Sequence, residues 1–148
     1  MNIEIDQSGK IEATNRKTIV AFSNSTHRSV SISSKDKKVL QKFFREAGKP
    51  EMFIYRVFAI LCFYLIKEDI KKIDSIIIDL EYLGKESVVK DLILSLIRRN
   101  NPSFDKSKIK FSSITKKSRA HWEAYEVFKG KRKANKNLNY KDILKYII

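Results

Sequence analysis

An α/β fold is what this sequence predicts, with helices flanking a mixed five-stranded sheet. Three observations carry that expectation. Residues 3–33 contain three short runs with strand-like patterning and no helical stripe between them. The rest of the chain switches between apolar stripes of helical period and two further strand-like runs. Of the 148 residues, 43% are hydrophobic, enough for one buried core and too many for a disordered chain.

In the opening "IEIDQSGK" (3–10), Ile3 and Ile5 alternate with Glu4 and Asp6, the pattern of a half-buried strand. "TIVAFSN" (18–24) is apolar and β-prone, and ends in the turn formers Ser23, Asn24 and Ser25. "RSVSIS" (28–33) alternates Val30 and Ile32 with serines. Short links between these runs imply a three-strand antiparallel meander. Ser33 or Ser34 then caps a helix through "KDKKVLQKFFREAG", with Val39, Leu40, Phe43 and Phe44 on one face. Gly48 to Pro50 breaks it, and a second helical stretch runs to about Lys67.

"DSIIIDL" (74–80) is continuously apolar, as expected of a strand covered on both faces. After Gly84, Val88, Val89, Leu92, Ile93, Leu96 and Ile97 form a helical stripe that ends at Asn101-Pro102. "KIKFSSI" (108–114) alternates again, and "SRAHWEAYEVFKGK" reads as a helix. A basic link and a short helix from about Tyr140 finish the chain. The order is β-β-β-α-β-α-β-α plus a C-terminal helix. Right-handed crossovers would set the fourth and fifth strands parallel to the first. No repeat or linker divides the chain, so residues 1–148 are expected to form one domain. Its core spans about 3–130, and the basic link and C-terminal helix occupy 129–148.

The net charge is +14, which favours a polyanionic partner, DNA or RNA; a merely basic surface is the other reading. "MFIYRVFAILCFYLI" (52–66) falls short of the roughly 20 residues that span a bilayer and contains Arg56, so it reads as a buried helix and no membrane partner is expected. Cys62 is the single cysteine, which precludes an internal disulfide or cysteine-based zinc site and points to a reducing, cytoplasmic setting. "MNIEID" lacks the basic and apolar regions of a secretory signal. No phosphate loop, dinucleotide-binding glycine motif or nucleophilic Ser/His pair is evident, which disfavours an organic cofactor.

The element order, with Asp6 in "IEIDQSG" and Asp79 in "SIIIDLE", resembles the ribonuclease H-like superfamily, including ribonuclease H and the RuvC-type junction resolvases. The resemblance covers roughly residues 3–130. It implies that Asp6 and Asp79 coordinate Mg²⁺ or Mn²⁺, with Glu81 as a reserve ligand and His121, on the last fold-defining helix, as a further one. It also implies phosphodiester hydrolysis by a nuclease or resolvase-like enzyme, leaving 5′-phosphate and 3′-hydroxyl ends. A symmetric substrate would favour a homodimer. Two departures stand out. Asp36 and Glu46 are the nearest acids on the first helix, and Ala124 stands one turn beyond His121, where a resolvase can carry another acid. A non-catalytic nucleic-acid-binding or scaffold module on the same fold is the competing reading.

Bland readings accompany each site residue. Asp6 before Gln7-Ser8-Gly9 suits a turn, Asp79 suits the start of a loop, and His121 and His27 suit a surface. "KKSRAH" (116–121) and "KGKRKANK" (129–136) offer Lys116, Lys117, Arg119, Lys129, Lys131, Arg132 and Lys133 to phosphates, with Lys85 at a helix N-terminus as an outlier. Their alternative is a solvated tail. Trp122 and Tyr125 lie between the two stretches, and helical spacing places them in the core rather than on a base-stacking surface.

Overall fold

The computed structural model describes residues 1–23, 26–114 and 118–147. Asn24, Ser25, Lys116 and Lys117 therefore lie outside the described residues. In chain order the strands and helices are β1 (Asn2–Ser8), β2 (Thr18–Ser23), β3 (His27–Ile32), α1 (Ser34–Glu46), α2 (Met52–Ile66), β4 (Ser75–Asp79), α3 (Glu86–Arg98), β5 (Ile109–Ser112), α4 (Arg119–Phe128), β6 (Lys136–Leu138) and α5 (Tyr140–Leu144). The sheet order is β5-β4-β1-β2-β3-β6. β1, β2 and β3 form the antiparallel meander, while β4 runs parallel to β1 and β5 parallel to β4. The expected mixed sheet is present, with one strand more than the sequence suggested. β6, in the basic link, pairs parallel to β3. Asn135 accepts the Ser29 amide at 2.8 Å beside that edge.

Strand alternation divides the sheet into two unequal faces. Ile3, Ile5, Val20, Phe22, Val30, Ile32, Ile76 and Ile78 face the main core, where they meet α1, α2, α3 and α5. All of residues 57–66 of α2 are buried, which explains a helix that is apolar on every side. Among the described residues, no helix is long and apolar enough to cross a membrane. Cys62 lies inside α2, where burial raises its thiol pKa far above the ordinary value.

Among the described residues, the opposite face carries one helix, α4. Its buried stripe is Ala120, Glu123, Ala124 and Val127, a helical repeat built largely from small side chains. Ala124 and Val127 pack on Ile19 and Ala21 of β2. Because α4 covers β1 and β2, Ile77 of β4 is only half-buried, and the expected burial of that strand on both faces is not reached.

Two local arrangements hold β1 and its following loop. Ser33 caps α1 as expected, its Oγ accepting the Asp36 amide at 3.1 Å. Within α1, Lys37 is fully buried and Val39 is exposed, the reverse of the apolar-face expectation. The Lys37 ammonium donates to the Lys10 carbonyl at 3.1 Å, the Ala13 carbonyl at 2.8 Å and Thr18 Oγ1 at 3.0 Å. Three acceptors satisfy its three donors, so a buried cation is tolerated, although burial lowers its pKa to about 8.

Gly9 ends β1 with φ of 79°, and a Cβ there would lie 2.2 Å from the Lys17 carbonyl oxygen and 2.8 Å from the Phe128 ring. Only glycine lets this turn close beneath the end of α4. Gly48, with φ of 74°, has open space around it and supplies a control. Gly9→Ala should therefore cost more than the 1–3 kcal/mol or so of a strained backbone alone, and Gly48→Ala no more than about that range. Urea unfolding midpoints compare them. Equal costs would contradict the close packing of Gly9.

Candidate metal centre

Asp6 reaches its position through the pleat of β1. It sits opposite Ala21 of β2, on the α4 face, whereas Ile5 and Gln7 point into the main core side. In β4 the same alternation buries Ile76 and Ile78 in the main core and turns Asp79 to the α4 face. The parallel register pairs Ile5 with Ile78, so the next step brings Asp6 and Asp79 together. Beyond β4 the chain bends: the Leu80 amide donates to the Ser112 carbonyl at 3.2 Å, and the Glu81 amide to the Asp79 carbonyl at 2.9 Å. This bend returns Glu81 to the same place. One carboxylate oxygen from each of Asp6, Asp79 and Glu81 lies within 4.8 Å of the others.

Each aspartate is held by a main-chain donor. Asp6 Oδ1 accepts the Gln7 amide at 2.8 Å, and Asp79 Oδ1 accepts the Ile114 amide at 2.7 Å. Asp6 Oδ2 lies 3.1 Å from His121 Nδ1. When Asp6 is ionised it offers only acceptors, so Nδ1 carries the hydrogen of that contact. The amides satisfy part of the hydrogen-bonding capacity of each carboxylate, and further lone pairs remain.

Crowding sets the electrostatics. Asp6 is 4% exposed, and burial raises its pKa, with the Asp79 charge adding to the rise. The Gln7 amide and His121 oppose that shift. Glu81 is pushed up to about 7 by burial, then by a hydrogen bond shared with Asp79 and by the charges of Asp79 and Asp6. At the observed spacing, two ionised carboxylates repel by on the order of 3 kcal/mol at an effective dielectric of about 20. A proton or a cation relieves that repulsion. The donors are all hard oxygens, a set that suits Mg²⁺ or Mn²⁺. The residues thus fit a hard divalent ion.

Asp6, Asp79 and Glu81 converge as the sequence suggested. His121 joins them one hydrogen bond behind, through Asp6. Asp36 is occupied elsewhere, accepting from Ser33 Oγ at 2.8 Å and from the Tyr140 amide at 3.2 Å. Glu46 is exposed and faces Lys42 at 3.9 Å. Glu123 and Glu126 are held by Arg132 at 2.6 and 2.9 Å, away from the centre. Two contributors escaped the sequence reading. Gln7 supplies the amide to Asp6 and its side chain donates to Tyr82 Oη at 3.0 Å, while Tyr82 packs edge-on to Tyr55 and Phe58. A polar residue directly after Asp6 was the only signal.

Lys85, Arg119, Lys129, Lys131 and Lys133 are exposed, and Arg132 is shared with the two glutamates. His27 is exposed at the start of β3. The core expectation for Trp122 and Tyr125 is overturned: they are 48% and 37% exposed. Ala120, Ala124 and Val127 occupy the buried side of α4, which leaves the larger rings outside.

Comparison with protein-family models, curated proteins and solved structures finds no match. The meander flanked by parallel strands is compatible with a ribonuclease H-like topology, and its acidic cluster is a possible metal-binding group.

In the metal-free protein Glu81 and Asp6 bind protons more tightly when folded than when unfolded. The Glu81 contribution to stability is complete below its unfolded value of 4.5 and is lost as pH rises through about 7, and the raised Asp6 adds in the same direction. Thermal midpoints should fall over that window, and Glu81→Gln should flatten the decline. Added Mn²⁺ should raise the midpoint most at the alkaline end. A midpoint insensitive to Mn²⁺ would contradict the metal centre.

Proposed function

We propose that this chain is a metal-dependent nucleic-acid hydrolase, nuclease or resolvase-like, of the ribonuclease H-like type. The observation that carries the reading is the convergence of Asp6, Asp79 and Glu81 at the ends of two adjacent parallel strands. A bound Mg²⁺ or Mn²⁺ supplies Lewis-acid activation of water and neutralises charge on the phosphate.

The chain's own residues have separable tasks. Asp6 and Asp79 would hold the ion, each carboxylate already oriented by a main-chain amide. Glu81 would have to lose its proton to join them, so ion affinity would rise with pH through about 7. His121 positions Asp6 through Nδ1. The net charge of +14 draws a polyanion toward the molecule, and the exposed Lys129, Lys131 and Lys133 follow α4 in sequence.

A second reading is a non-catalytic nucleic-acid-binding or scaffold module. It is favoured by the limited donor set: among the described residues three carboxylates converge, and Glu123 and Glu126 are committed to Arg132. Cleavage separates the two. The hydrolase reading expects Asp6→Asn and Asp79→Asn to reduce Mn²⁺-dependent cleavage of labelled duplex, branched and single-stranded substrates to background, while binding persists. His121→Ala should lower activity about 10–100-fold, the scale of losing a group that orients a metal ligand. Binding without metal-dependent cleavage by the unmodified chain would favour the module. Unchanged cleavage by both aspartate variants would overturn the site.

A further inference from the structure

We infer that the outer face of α4 is a stacking platform for unpaired nucleobases, so that the substrate presents single-stranded or splayed nucleotides at the metal centre. This rests on the nucleic-acid reading above and adds the substrate class. The observation is a ring cluster in which half-buried His121 meets exposed Trp122 and Tyr125. The His121 ring touches Asp6 through Nδ1 and lies nearly parallel to Tyr125, with an interplanar angle of 13°. Trp122 stands almost perpendicular to both, at centroid separations of 5.4 Å from His121 and 5.8 Å from Tyr125. One side chain therefore links the carboxylate cluster to a group of large exposed rings.

Packing of the helix gives Trp122 and Tyr125 no buried role. The sheet-facing side of α4 is filled by Ala120, Ala124 and Val127, and a large aromatic normally buries most of its apolar surface. Cations stand beside the rings on the solvent side, Lys129 at Tyr125 and Arg119 near Trp122. The Lys129 ammonium lies 5.6 Å from the Tyr125 ring centroid. Trp122 borders an open cavity of about 350 Å³ together with His27, Arg119 and the Arg132 that pairs with Glu123 and Glu126 in the same lining.

Rings beside cations suit a strand whose bases expose their π-faces and whose phosphates carry charge. A continuous duplex hides those faces in its own stack and offers base edges and phosphates instead. The platform consequently selects unpaired bases, and its position behind His121 brings the adjoining phosphodiester toward Asp6.

Trp122 is the only tryptophan in the chain, so its fluorescence reports the platform directly. The full chain is titrated with an oligothymidylate and with a blunt duplex of equal length, in EDTA and at fixed low salt. Fluorescence anisotropy of labelled probes gives the affinities. The expected result is saturable quenching by the oligothymidylate and binding at least about tenfold tighter than to the duplex. Trp122→Ala should weaken oligothymidylate binding about tenfold and leave duplex binding unchanged, while Trp122→Phe restores most of the loss. Equal binding of both probes, indifferent to Trp122→Ala, would overturn the platform and leave the metal centre standing. Failure of both probes to bind would overturn the platform and the nucleic-acid reading together. Divalent-ion binding, measured separately by the thermal shift with Mn²⁺, tests the carboxylate cluster independently of both.

Discussion

Mutual repulsion among three carboxylates is the constraint on which the functional half of this molecule depends. Oxygens of Asp6, Asp79 and Glu81 within 4.8 Å of one another cannot all be ionised without compensation. Metal-free protein answers with protons, raising the pKa of Asp6 and bringing Glu81 to about 7. The arrangement persists because the sheet enforces it. Separating Asp6 from Asp79 would require breaking the parallel β1–β4 register, which also buries Ile5 and Ile78. Hydrophobic packing on one face of the strands thus holds an unfavourable charge cluster on the other. Such a cluster is costly to the fold, and a proton or a cation would relieve it.

The approach of α4 completes the arrangement. Alanines at 120 and 124 let the helix lie close to Ala21, and Gly9 leaves room for Phe128 at the opposite end of the same helix. A bulkier seam would lift the helix and draw His121 away from Asp6. The same economy on the inner side puts Trp122 and Tyr125 outside. Close packing, positioning of Asp6 and display of the aromatic rings are therefore three results of one choice of small residues. On the far side, Arg132 compensates the buried Glu123 and ties the segment after α4 back to the helix.

Much of this was legible in the sequence because its strongest patterns are also its main structural determinants. Alternation of Ile3 with Ile5 and of Val30 with Ile32 marked the meander, and the apolar run at 76–78 marked the strand beside β1. Element order then brought Asp6 next to Asp79. What escaped has physical reasons. β6 contains a single buried apolar residue, Leu138, within a lysine- and asparagine-rich stretch, and its pairing depends on the edge of β3 rather than on its own pattern. Lys37 reads as a surface lysine until the loop carbonyls of Lys10 and Ala13 surround it. Trp122 and Tyr125 look like core by size, but the helical repeat of alanines decides which side is inside. Glu81 could be ranked only as a reserve ligand, since the bend that returns it to the cluster uses main-chain bonds that leave no side-chain signature.

Diffraction from a crystal soaked in Mn²⁺, with the anomalous signal of the ion recorded, tests the central claim most directly. The account predicts a peak bounded by Asp6, Asp79 and Glu81, with carboxylate oxygens at roughly 2.1 Å, the distance a small hard divalent ion demands. Asp6 should keep its bond to the Gln7 amide in that state. A cluster that stays free of Mn²⁺ while the ion occupies other sites would contradict the account, and would leave the basic and aromatic surface of α4 as the functional feature of the fold.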